Sequence, residues 1–118
     1  MIESTPRVIL GTYAFQGTGY SRPIPLSGDA APSYTVPADK RAQMIYLRAG
    51  NSSAEMIALT LLRDGTPMRV FPIGAKAAMH VPLAVVEDLM PDARIEVAVS
   101  APEGASGTVV LDMGLVEI

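Results

Sequence analysis

Residues 55–74 read EMIALTLLRDGTPMRVFPIG. Glu55–Arg63 is apolar at successive positions, as expected of a central strand covered on both faces. Asp64-Gly65 follows at once. Such a dipeptide tolerates the positive φ angles of a tight turn, and between two apolar runs it predicts a two-residue β-hairpin. Pro67–Ile73 is then the return strand, and Gly74 ends it.

Outward from this hairpin, short strands recur. Upstream, Gln43–Ala49 alternates, with Ile45, Leu47 and Ala49 opposed to Met44, Tyr46 and Arg48, and the GNSS that follows is a turn. Downstream, Lys76–Val81 is a further short strand. Pro82–Met90 is read as a strand running into a turn at Asp88–Asp92, with Leu89 tucked inward. Ala93–Ser100 alternates, with Ile95, Val97 and Val99 expected to face in and Arg94, Glu96 and Ser100 to face out. APEGASG is a loop. Gly107–Ile118 is the last strand, with a bulge near Gly114 that shifts its phase. Near the N-terminus, Arg7–Phe15 forms a strand with Val8 and Leu10 opposed to Ile9 and Tyr13.

Strands at this spacing, joined by Gly and Pro turns, predict an all-β fold: an antiparallel β-sandwich or jelly roll. The 118 residues make one domain, and 49% hydrophobic content is enough for a core. The regular strands occupy 41–118. Residues 16–40 differ. Gly17, Gly19, Pro23, Pro25, Gly28, Pro32 and Pro37 break regular structure there, which predicts a long Pro/Gly-rich N-terminal arm with one short extended piece at Tyr34–Val36.

The runs MIYLRAGNSSAEMIALTLLRDG (44–65), MRVFPIG (68–74), HVPLAVVEDL (80–89) and ARIEVAVSAPEGASGTVVLDMGLVEI (93–118) resemble the β-jelly-roll of carbohydrate-binding modules. The resemblance covers about the last two-thirds of the chain and implies a sandwich fold and, as one reading of function, saccharide binding. Such modules usually stack aromatic rings on the sugar, whereas this chain has no Trp. The fold is carried over and no binding residue is.

No residue pattern announces catalysis. Cysteine is absent, which removes disulfides, thiolate chemistry and Cys-type zinc sites. The single histidine, His80, sits in AAMHVPL. Met79 beside it would point to the opposite face of a strand, so the two do not form a copper site. Glu87-Asp88, the one adjacent acidic pair, lies in a turn and reads as solvated. Asp112 interrupts an apolar strand and must face solvent or find a cation or a donor; Arg48, Arg63 and Arg69 are the candidates. Asn51-Ser52-Ser53 matches a glycosylation acceptor in a chain with no export signal. No phosphate-binding glycine pattern occurs. The expectation is therefore no enzyme, no metal and no cofactor.

A net charge of −3 without a basic block gives no nucleic-acid footprint, and no segment is apolar for long enough to span a membrane. A cytoplasmic protein, or one in a particle assembled there, is expected. Function then turns to the arm. Loops longer than about 15 residues are uncommon in compact domains unless they do something. This one carries Tyr20, Ile24, Leu26, Tyr34 and Val36 with few charges. Tyr20, Ile24, Leu26 and Tyr34 are the expected partner-binding residues. A homo-oligomer or a larger protein complex is the expected partner, with the arm lying either across its own sandwich or on a neighbour.

Overall fold

The computed structural model describes residues 4–27, 32–83 and 88–118. In chain order the strands are β1 (Thr5–Gln16), β2 (Ile24–Pro25), β3 (Ser33–Thr35), β4 (Ala42–Asn51), β5 (Ile57–Arg63), β6 (Thr66–Ile73), β7 (Ala78–Pro82), β8 (Asp88–Leu89), β9 (Arg94–Ser100) and β10 (Ser106–Glu117). They form two antiparallel sheets packed as a sandwich. One runs β1-β10-β4-β7, with β8 also on β4; the other runs β2-β9-β5-β6, with β3 also on β9.

The hairpin at Asp64-Gly65 forms as its sequence requires. Asp64 has φ 51° and Gly65 φ 82°, the left-handed pair that lets a two-residue turn match strand twist. Asp64 is held further by Arg94, whose amide donates to its Oδ1 at 2.9 Å. β5 is central, between β9 and β6. Its Ile57, Leu59 and Leu61 face the core, and Thr60 on its other face is also buried.

Leu47, Leu111, Met113 and Leu115 from the first sheet and Leu59, Leu61, Ile95 and Val97 from the second belong to one buried cluster. Each such side chain stabilises the fold by about 1.5–3 kcal/mol relative to exposure. Leu89 is fully buried, as its sequence position suggested. Asn51 links the sheets at one end. Its Nδ2 donates to the carbonyls of Glu55 (2.9 Å) and Gly74 (3.0 Å), and its Oδ1 accepts from the Ser53 amide. Asn51, whose match to a glycosylation acceptor is one of sequence alone, is thus a buried structural strut.

The bulge near Gly114 exists, but the extra residue belongs to β4. Gly114 pairs with Tyr46 and Leu115 with Met44, so Ile45 has no partner on β10. The last strand keeps one phase, burying Val109, Leu111, Met113, Leu115 and Glu117. β4 changes phase: Met44 and Leu47 are both buried, while Ile45 is 46% exposed. The strict alternation expected for Gln43–Ala49 therefore holds only from Tyr46 onward.

The stretch expected as an irregular arm supplies strands of its own. β2 and β3 both pair with β9. Leu26 donates its amide to Val97 O at 3.0 Å, and Val36 donates to Ala93 O at 2.9 Å. Leu26 and Val36 are buried in the chain's own core. Of the two placements left open for these apolar residues, the described part takes the intramolecular one.

Candidate functional site

The exposed face of the first sheet gathers the residues with chemistry. Cross-strand register builds it row by row. Leu10, Asp112, Arg48 and His80 stand side by side on β1, β10, β4 and β7. The next row is Thr12, Val110, Gly50 and Ala78, and the row on the other side is Val8, Gly114, Tyr46 and Pro82.

Gly114 shapes the cluster. A Cβ there would overlap the Tyr46 ring, so only glycine lets that ring lie across β10. The ring carries the Tyr46 hydroxyl to Asp112, donating to Oδ1 at 2.7 Å. That bond, then burial, raises the Tyr46 pKa, because the phenolate would face a carboxylate. The Arg48 guanidinium lies 5.2 Å from the ring centroid, a cation–π distance. His80 meets the same ring edge-on, with centroids 6.1 Å apart and planes at 88°. Beside the cluster is a shallow groove of about 470 Å³, lined by Arg48, Ala78, His80, Val110 and Asp112 among others.

Asp112 thus finds the donor that its place in an apolar strand demanded, and Arg48 is its neighbour on β4. Tyr46 is the residue that sequence reasoning missed as the donor. Its place on the Arg48 face was the available signal. Met79 and His80 face opposite ways: Met79 packs on the core and His80 is exposed. Among the described residues no group of three or more His, Cys, Asp or Glu is placed to hold a metal. Glu87 lies outside the described residues, while Asp88 accepts from Gln43 Nε2 at 3.0 Å.

A second polar cluster sits at the far end of β10. Glu117 is buried, accepts a hydrogen bond from the Tyr34 hydroxyl, and pairs with Arg7 Nε at 3.2 Å. The Tyr34 bond and Arg7 hold the Glu117 carboxyl below its ordinary pKa, against the opposing pull of burial. Burial first, then the Glu117 bond, pushes Tyr34 up. This cluster pins β3 to β10.

The four residues expected to meet a partner are not equivalent. Leu26 is in the core, and Tyr34 is half-buried against Glu117. Both lie where the segment folds back on β9. Tyr20 and Ile24 remain exposed, and the Tyr20 hydroxyl donates to Met56 O at 2.8 Å. The exposed apolar residues on the first sheet, Val8, Leu10 and Val110, are the surface that sequence reasoning did not single out. The alternation in Arg7–Phe15 placed Val8 and Leu10 together but did not say which face was outside.

No protein-family model matches the chain, and no curated protein matches it. Solved structures do. The CBM36-1 domain of a multidomain xylanase from the hindgut metagenome of Trinervitermes trinervoides aligns over 95% of this chain and 96% of its own, with 16% identity and a TM-score of 0.60. A chain of infectious bursal disease virus, Gt strain, aligns over 97% of this chain at 13% identity and a TM-score of 0.50; this chain spans 32% of that one. A family 35 carbohydrate binding module from Clostridium thermocellum aligns over 95% of this chain and 90% of its own, at 12% identity and a TM-score of 0.45. What the CBM36-1 domain shares with this chain is the fold, an antiparallel β-sandwich of jelly-roll form.

Proposed function

We propose that this chain is a non-catalytic association module, a self-assembling structural protein or an accessory subunit of a larger complex. The outer face of the first sheet is its contact surface. One observation carries the reading. Val8, Leu10 and Val110 are 53%, 62% and 56% exposed on two adjacent strands of one sheet face. Contiguous exposed apolar side chains beside a polar cluster mark interaction surfaces more often than inert ones. The likeness in fold to a virus chain is compatible with a particle component. Native mass spectrometry and sedimentation at micromolar to high-micromolar concentration test it. Defined oligomers are expected; a strict monomer removes the self-assembling version and leaves a heteromeric partner.

A second reading is a saccharide-binding module. Tyr46, Arg48, Asp112 and His80 favour it, since they set an aromatic ring among donors and acceptors on a flat surface. The remaining aromatics do not. Tyr13, Phe15 and Phe71 are buried and Tyr34 is engaged with Glu117, which leaves Tyr20 alone at 48% exposure. The absence of binding on a glycan array would eliminate this reading.

A further inference from the structure

The edges of the two sheets are not alike. β2 has two residues, one of them Pro25, and β3 has three. β6 carries Pro67 and Pro72, and its pairing with β5 is broken by a register shift. β7 has five residues and ends at Pro82. Short strands, prolines and bulges are the devices that keep an edge from pairing with another chain. β1 is different. It runs twelve residues beside β10 in unbroken register, and among the described residues no strand lies beyond it.

The backbone of β1 has a definite parity. Gly17, which continues the strand, donates its amide to Ala105 O toward β10. Along an unbroken antiparallel strand the N–H and C=O of alternate residues turn to the same side. Odd-numbered residues therefore face β10. Even-numbered ones, namely Val8, Leu10, Thr12, Ala14 and Gln16, turn their backbone groups to the free edge. Pro6, which has no N–H, falls on an even position, so the ladder to β10 loses nothing. The side chains of Val8, Leu10, Thr12 and Ala14 all stand on the exposed face. The only charge in the strand is Arg7, and it is paired with Glu117.

From this we infer that β1 is a homodimerisation edge: β1 of one copy pairs antiparallel with β1 of a second across a two-fold axis through Leu10. The inference rests on the association reading above and specifies its partner and geometry. Among the described residues these outward-turned donors and acceptors have no strand partner; such a row asks for another extended strand, and this strand complements itself. Centred on Leu10, the pairing sets Leu10 against Leu10 and Val8 against Thr12, and it uses the outward-turned donors of residues 8, 10, 12 and 14. It joins the two first sheets into one and brings both Val8/Leu10/Val110 patches onto a continuous face.

Three variants test this, each first checked for an unchanged thermal unfolding profile. Leu10→Lys opposes two ammonium groups across the axis and is expected to weaken self-association by roughly tenfold or more, equivalent to ~1.4 kcal/mol. Val70→Lys, at a residue 58% exposed on the other sheet, is expected to leave association unchanged. Because the chain has no cysteine, Leu10→Cys reports geometry directly. Opposed residues in a hydrogen-bonded pair have Cα atoms about 5.5 Å apart, within disulfide range. Rapid disulfide dimerisation on mild oxidation is expected, with Val110→Cys lagging far behind. If the parent chain associates but Leu10→Lys does not weaken it and Leu10→Cys links no faster than Val110→Cys, the edge pairing is wrong and another surface associates. If the parent chain is monomeric throughout, self-association itself falls. Should Leu10→Lys fail to fold, the cysteine comparison still decides.

Discussion

Tyr46 donates a hydrogen bond to Asp112 across β4 and β10 at 2.7 Å, and it reaches that carboxylate over the bare backbone of Gly114. The bulge at Ile45 turns Tyr46 onto the outer face. Three residues are therefore coupled: Ile45, which β10 leaves without a register partner, a glycine in the next strand, and the aromatic ring between them.

Gly114→Ala is expected to destabilise the fold by about 1–3 kcal/mol, because a methyl group would overlap the Tyr46 ring and force it off its rotamer. Urea unfolding measures the loss. In a Tyr46→Ala background the same change is expected to cost much less, and equal costs in both backgrounds would refute the coupling.

Asn51→Ala should be one of the most damaging polar substitutions in the chain, at about 3 kcal/mol, since it leaves the Ser53 amide and the carbonyls of Glu55 and Gly74 without their side-chain partner. Ser52, whose hydroxyl accepts from the Thr108 amide at an exposed position, serves as the comparison. Ser52→Ala is expected to cost under about 1 kcal/mol. Midpoints from thermal unfolding rank the two.

Acid should weaken the β3–β10 link. Glu117 has a folded pKa below its ordinary 4.5, so its contribution is complete above that value and is lost as pH falls through the lower, folded value. Stability of the parent chain is expected to drop in that window. Tyr34→Phe removes the largest cause of the shift, so the drop should shrink and stability at neutral pH should fall by about 1 kcal/mol. Unfolding curves from pH 7 to pH 3 provide the check, over roughly the range where carboxylates titrate.

Gly65→Ala is expected to destabilise by about 1 kcal/mol, because its φ of 82° is one that a Cβ disfavours. If circular dichroism and denaturant midpoints showed no change, the turn would not be strained by a side chain.

Much of the fold was legible in short stretches. Asp64-Gly65 named its turn, Leu89 was recognised as an anchor, and Ile95, Val97 and Val99 named one buried face of β9, although Ser100, expected outside, is buried as well. The site was legible only in pieces. Asp112 stood out as a carboxylate in an apolar strand and Arg48 as a residue near enough to matter, but Tyr46 was not recognised as the donor. In β4 the alternation misplaced Met44 and Ile45, since a bulge is a property of two strands and neither sequence shows it alone.

By itself, the sequence determined the all-β class, one hairpin turn, the inward face of β9 at Ile95, Val97 and Val99 and the lack of any thiol chemistry. These depend on local φ/ψ preference and on the two-residue period of a strand, which are properties of neighbours in the chain. Only the tertiary structure decided that Leu26 and Val36 belong to their own core, that Glu117 lies buried under Tyr34, and that β1 is the end strand of its sheet among the described residues. Those outcomes depend on which strands lie side by side. Pairing joins residues as distant as Thr5 and Glu117, and no local pattern encodes the partner.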